Sequence, residues 1–263
     1  MKSVFFTLLF LLFAGYVAQG QENFKVIRVN GTIVLKNKGV SLETGTVFNE
    51  KEDLLFRSDD ANAAVINPQR GRIIITSKNH NLAEAGSNSL PAMYNISKRG
   101  VLPGDPDELD MIFSGKYVVI GRDEVFIDKF VYPMDKEHFF FLRYVYKGEE
   151  INKKLSFSGD SLIIDKKELY TVDGKPIPSP DNTRIKLFYM NGANAQMVSE
   201  FNLIFPDTDQ LAREVRIILD TYPDKTPAQK INEVNNYITE EYGKANRKVL
   251  QSWLEQTFNI SPR

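Results

Sequence analysis

Phe24-Lys25-Val26-Ile27-Arg28-Val29-Asn30-Gly31-Thr32-Ile33-Val34-Leu35 is the stretch whose reading decides the fold at the start of the chain. Two runs rich in β-branched and aromatic residues meet at Asn30-Gly31. Both residues of that pair tolerate positive φ, which makes it a strong hairpin dipeptide. Working outward, Asn37-Lys38-Gly39 marks a second turn. Leu54-Leu55-Phe56, Ala63-Ala64-Val65-Ile66 and Ile73-Ile74-Ile75-Thr76 are further short strands, punctuated by Asn67-Pro68 and Arg70-Gly71. Five or six strands of this length predict a small closed barrel over residues 24–76.

Three segments carry a resemblance. They are Val29-Asn30-Gly31-Thr32-Ile33-Val34, Leu42-Glu43-Thr44-Gly45-Thr46-Val47-Phe48 and Ser58-Asp59-Asp60-Ala61-Asn62-Ala63-Ala64-Val65-Ile66. Residues 24–76 resemble FecR-type and SH3-like β domains of exported bacterial proteins. The resemblance implies a β-barrel module that binds a protein or a cell-wall component. FecR itself carries a cytoplasmic sigma-factor-binding part and a membrane span, which this sequence lacks.

The composition narrows the function classes. The chain has 263 residues, 42% hydrophobic and 25% charged, with a formal net charge of −1. There is no basic excess to track a phosphate backbone, so nucleic acid is not an expected partner. Cysteine is absent, which removes disulfides, thiol catalysis and cysteine zinc sites. Two histidines, His80 and His138, leave little for a histidine-based metal site.

Residues 1–20 read as a signal peptide. Lys2 supplies the positive start, Val4 to Val17 is a charge-free apolar run, and Ala18-Gln19-Gly20 places small residues at a cleavage site. The run is shorter than the roughly 20 residues of a spanning helix. The mature chain is therefore expected in the periplasm or outside the cell, with no transmembrane segment. No cysteine follows the cleavage site, which excludes a lipoprotein anchor, and the absence of cysteine suits a bacterial exterior. The sequons at Asn30, Asn95 and Asn259 read as chance matches.

Residues 77–110 are rich in Ser, Asn, Gly and Pro and read as a linker. Residues 111–205 read as an antiparallel β domain of about eight strands, a meander or sandwich. His138 to Tyr146, apolar on both faces, is its central strand. Gly121-Arg122-Asp123, Lys147-Gly148, Asp173-Gly174 and Asn191-Gly192 are its turn signals. Residues 206–263 read as short helices. Leu211, Val215, Ile218, Leu219 and Tyr222 form one apolar face. Thr226-Pro227-Ala228-Gln229 opens a second helix as a capping box, with Ile231, Val234, Ile238 and Tyr242 along it and Gly243 as its stop. Val249, Leu250, Trp253, Leu254 and Phe258 form a third stripe, with Trp253 expected to be buried in docking. The fold class is mainly β with C-terminal α.

Candidate chemistry is sparse. Gly159-Asp160-Ser161-Leu162 spells the nucleophile block of GDSL-type hydrolases, and Asp135-Lys136-Glu137-His138 matches their Asp-x-x-His block. In that family the histidine block lies downstream of the serine, so the order here is wrong. A hairpin turn at Ser158-Gly159-Asp160 is the simpler reading. Asp160-Ser161-Leu162 also resembles the O-glycosylation tripeptide of Bacteroidota. Asp105, Asp107, Glu108 and Asp110 are hard-cation donors without EF-hand spacing, and read as a solvated linker end. His80 reads as exposed and His138 as a packed or edge histidine. Phe139 to Tyr146 reads as sheet core before it reads as a binding platform. Arg70 and Arg72 read as surface charge. No catalytic residue, metal site or cofactor is assigned, and the binding residues are left open.

The expected function is that of an exported, non-enzymatic binding or scaffold protein contacting a protein or cell-envelope partner. A periplasmic hydrolase whose site is not recognisable from sequence is the alternative.

Overall fold

The computed structural model describes residues 23–82, 107–178 and 180–261; the expected signal peptide and most of the expected linker lie outside them. The chain divides into two units, 1–89 and 90–263. It is mainly β, with several antiparallel sheets and a C-terminal helical segment.

Among the described residues the first unit holds seven strands: β1 (Asn23–Asn30), β2 (Ile33–Leu35), β3 (Val40–Ser41), β4 (Val47–Asn49), β5 (Leu54–Phe56), β6 (Asn62–Asn67) and β7 (Gly71–Thr76). The expected closed barrel is not what they build. They form a four-stranded sheet in the order β4-β1-β6-β7 and a three-stranded sheet in the order β3-β2-β5. Asn30-Gly31 is correspondingly not a hairpin. β1 pairs with β4 and β6, and the dipeptide carries the chain from one sheet into the other. Gly31 has φ +76°, and a Cβ there would stand 3.0 Å from the Ala61 Cβ, so glycine answers both the conformation and the close approach. A register shift between Val26 and Arg28 lets the neighbours Val26 and Ile27 both be buried, which breaks the simple alternation. Phe24, Val26, Phe48, Val65, Ile73 and Ile75 anchor this unit's core.

The second unit opens with α1 (Asp107–Ile112). This overturns the end of the expected linker at residue 110. Leu109 and Phe113, four residues apart, are buried, and the Phe113 ring lies 4.9 Å from Tyr117 and 5.3 Å from Phe201. Burial of that spacing stabilises a turn too short to stand alone.

Eight strands follow in the region read as β: β8 (Lys116–Val118), β9 (Arg122–Phe126), β10 (His138–Tyr146), β11 (Glu149–Lys154), β12 (Ser156–Ser158), β13 (Ser161–Asp165), β16 (Asp181–Asn191) and β17 (Asn194–Ile204), with the short pair β14 (Thr171–Val172) and β15 (Lys175–Pro176). A single helical turn, α2 (Lys166–Leu169), is capped by the Asp165 side chain. The hairpins at Lys147-Gly148, Asp173-Gly174 and Asn191-Gly192 form as expected. The one at Gly121-Arg122-Asp123 does not. β8 and β9 belong to different sheets, and the turn moves the chain between them.

The C-terminal helices are α3 (Thr208–Thr221), α4 (Pro227–Glu241) and α5 (Arg247–Phe258), interrupted by β18 (Lys244–Ala245). The larger sheet runs β11-β10-β16-β17-β8-β18, and its β17–β8 and β8–β18 pairs are parallel. The region is thus not purely antiparallel. A parallel neighbour must be reached by a crossover, and here α3 and α4 carry the chain from β17 to β18. The smaller sheet, β12-β13-β9, shares one core with the larger, through Phe140, Leu142, Leu162, Ile164 and Leu187.

Thr226 and Gln229 form the expected capping box at α4. Gly243 ends that helix with φ +125°, and any Cβ there would run into the Lys116 side chain and carbonyl. Only glycine lets β18 come alongside β8 at this point.

Candidate functional site

Six elements of the second unit border one cleft of about 1080 Å³: α1, β8, β9, β13, β18 and α5. Among the described residues its lining includes four cations, Arg122, Lys244, Arg247 and Lys248, and one carboxylate, Glu124. Arg122 is paired with Glu124 at 3.2 Å. Lys244 donates to Ser114 Oγ at 2.9 Å, and Arg247 to Asn232 Oδ1 at 3.4 Å. The apolar part of the lining includes Met111, Phe126 and Trp253. Phe126 is 68% exposed and Met111 49%. A chain whose formal charge is −1 overall therefore gathers a local excess of positive charge around apolar surface.

Behind the cleft wall lies a buried carboxyl. Asp123 is 1% exposed. Tyr117 donates its hydroxyl to Asp123 Oδ2 at 2.5 Å, and Asn246 donates Nδ2 to Oδ1 at 2.7 Å. Burial pushes the Asp123 pKa up, and the donors from Tyr117 and Asn246 pull against it. Burial, then the adjacent Asp123 charge, pushes the Tyr117 hydroxyl up as well. Asn246 has two tasks. As N-cap of α5 its Oδ1 accepts the Lys248 N–H at 3.0 Å, while Nδ2 also reaches the Glu124 carbonyl at 3.2 Å. A polar clamp thus fixes the first turn of α5 against the strand β9.

β9 is the edge of its sheet. The Ile127 N–H to Asp160 carbonyl bond, 2.8 Å, sets the phase of the antiparallel ladder with β13. Paired residues alternate in such a ladder, so the backbone groups of Arg122, Glu124 and Phe126 point away from β13. Arg122 N–H is taken by Ile120 and the Glu124 carbonyl by Asn246. The Glu124 N–H is directed to the Asp123 carboxylate, and among the described residues nothing takes the N–H or the carbonyl of Phe126.

The residues singled out in the sequence are scattered. Ser161 opens β13 directly after the two-residue hairpin Gly159-Asp160 and lines the cleft. His138 does not line it. Its Nδ1 lies 2.9 Å from Asp135 Oδ1 at the start of β10, and that contact holds the Asp135 carboxyl below its usual range. Asp135 and His138 thus form a local turn pair with no place beside Ser161. Asp110 is exposed in α1, Asp105 lies outside the described residues, and among these no group of three or more acidic or histidine side chains is placed to hold a metal. His80 is exposed, with its ring 5.4 Å from that of Phe56.

Arg70 departs from its reading as surface charge. Its guanidinium contacts Glu50 at 3.3 Å, the Leu82 carbonyl, and the face of Phe24 at 5.4 Å, so it braces the first unit's interior. The aromatic strand β10 is divided between two faces. Phe140, Leu142 and Tyr144 enter the core, whereas Phe141 stacks on Phe188 at 5.0 Å on the other face, with Arg143 above it.

Sequence reasoning missed Asp123, Asn246 and Glu214. Glu214 is fully buried and its Oε2 accepts from both Tyr237 and Tyr242 at 2.7 Å. The signal for it was present, because Glu214 falls on the Leu211, Val215, Ile218 stripe where a charge needs buried partners. The cations were legible too, as Lys244-Ala245-Asn246-Arg247-Lys248.

No helix among the described residues is long and apolar enough to cross a membrane. No protein-family model, curated protein or solved structure matches this chain.

Proposed function

We propose that this is an exported, non-enzymatic binding protein that engages a partner protein of the cell envelope through the cleft between β9 and α5. The observation that carries the reading is the combination of four exposed cations with Phe126 and Met111 around one cleft. Exposed apolar side chains of that size, rimmed by charge of one sign, are a feature of interaction sites. Export rests on Lys2, the apolar run to Val17 and Ala18-Gln19-Gly20. The first unit, with its resemblance to FecR-type and SH3-like domains, serves in this reading as a second contact or spacer.

The test is site-specific photocrosslinking in the native cell. A crosslinker at Phe126 or Lys248 is expected to give a discrete adduct, while one at Val145, an exposed position outside the cleft lining, gives none. Equal adducts from all three positions, or none from the cleft, would overturn the reading. Labelling of Ser161 by a fluorophosphonate probe would overturn its non-enzymatic part.

A further inference from the structure

We infer that the occupant of the cleft is an extended acidic segment of the partner protein, which adds as a strand along the outer edge of β9. The inference rests on the proposed binding role of the cleft and names its ligand and geometry.

Two independent observations lead here. The first is the backbone. An unpaired strand edge is a template for another chain, and natural edges are commonly shielded by charge, bulges or covering elements. The β9 edge is closed at Arg122, whose N–H goes to the Ile120 carbonyl, and at Glu124, where the Asn246 amide takes the carbonyl as a backbone N–H would and the Asp123 carboxylate takes the N–H. Two residues further on, both backbone groups of Phe126 remain to be paired among the described residues. A peptide residue opposite Phe126 exchanges two hydrogen bonds with it. Asn246 marks the end of this register.

The second observation is charge. An extended peptide on this edge lies in a cleft bordered by Arg122, Lys244, Arg247 and Lys248, with one carboxylate among them. Aspartate or glutamate side chains on one face of the peptide answer those cations. Side chains alternate along a strand, so the other residues of the peptide are free to be apolar and to cover Phe126 and Met111. A basic peptide is repelled by the same cations, which supplies discrimination as well as attraction.

The probe is a fluorescein-labelled peptide of alternating aspartate and valine, titrated into the full mature chain. Saturable binding is expected, weakening steeply as salt rises from about 0.05 to about 0.3 M. The double variant Arg247→Glu, Lys248→Glu alters two exposed side chains and should weaken binding by about tenfold or more. Its thermal unfolding serves as the control for folding. The same peptide N-methylated at alternate residues, on the pairing edge, should lose about as much, because it keeps the charge and loses the backbone donors. Equal binding of the methylated peptide would overturn strand addition while leaving the cleft as a binding site. Equal binding of a lysine–valine peptide would overturn the acidic class. No peptide binding, with cleft crosslinks present in the cell, would overturn this inference alone; absence of both would remove the proposed function with it.

Discussion

Asn246 Nδ2 donates to Asp123 Oδ1 at 2.7 Å, and so joins the cap of α5 to the edge strand β9. The contact does two things at once. It positions Arg247 and Lys248 at the cleft, and it partners a carboxyl that is otherwise taken out of water. Replacing Asn246 with Ala removes the cap and one donor to Asp123. The expected loss is about 2–3 kcal/mol, the sum of a cap and a hydrogen bond to a buried carboxyl. Urea unfolding of the two proteins measures it.

Asp123 gives the fold a defined pH response. Its pKa is raised in the folded state, so the native protein holds that proton more tightly than the unfolded chain. Stability from this group is complete at pH values below the ordinary aspartate range and is lost as pH rises through the raised value. Asp123→Asn abolishes the titration. The stability of the variant minus that of the wild type should therefore increase with pH from the ordinary aspartate range upward, followed by unfolding at a series of pH values. A difference that is flat with pH would contradict the assigned shift.

Gly243→Ala places a Cβ against the Lys116 backbone at a φ that other residues rarely adopt. A strained backbone position costs about 1–3 kcal/mol, and the collision adds to it. Loss of the β8–β18 pairing should follow, visible as faster amide exchange at Lys244 and Ala245 than in the wild type.

Glu214→Ala removes the acceptor shared by Tyr237 and Tyr242 and leaves a hole between α3 and α4. Each buried hydroxyl deprived of that acceptor costs about 1–3 kcal/mol, so the total should exceed that of Glu214→Gln, which keeps an oxygen in place. Thermal unfolding of both variants ranks them.

Trp253 is half-buried, with its ring 5.6 Å from Phe258, and lines the cleft; Leu250 and Leu254 are the fully buried anchors of α5. Trp253→Ala should cost about 1–2 kcal/mol, below the 3–5 of a fully buried aromatic, and Leu254→Ala about 2–5 kcal/mol. As the single tryptophan, it should shift its emission when an unlabelled acidic peptide fills the cleft. An unchanged spectrum at saturation would place the peptide elsewhere.

Local patterns were legible where short-range chemistry decides the outcome. The two-residue turns Lys147-Gly148, Asp173-Gly174 and Gly192-Ala193, the last just after Asn191, close hairpins because their neighbours pair immediately. The Thr226–Gln229 box is likewise complete within four residues. His138 to Tyr146 ran as one strand because it is flanked by β11 and β16 and buries side chains on both faces. Asn30-Gly31 and Gly121-Arg122-Asp123 misled for one reason. A turn signal says that the chain changes direction, and it does not say which strand will be met.

By itself, then, the sequence determined a mainly β chain with three amphipathic helices at its end, the second of them capped, since period and turn chemistry are properties of neighbouring residues. Tertiary structure decided the rest. It split the first unit into two sheets, set β18 parallel to β8, and placed Asp123 beside Tyr117 and Asn246. It also brought the cations of β18 and α5 to face the open edge of β9. Each of these depends on partners more than a hundred residues apart or on the pairing of strands that no local pattern encodes, and only the closing of each unit's own core brings them together.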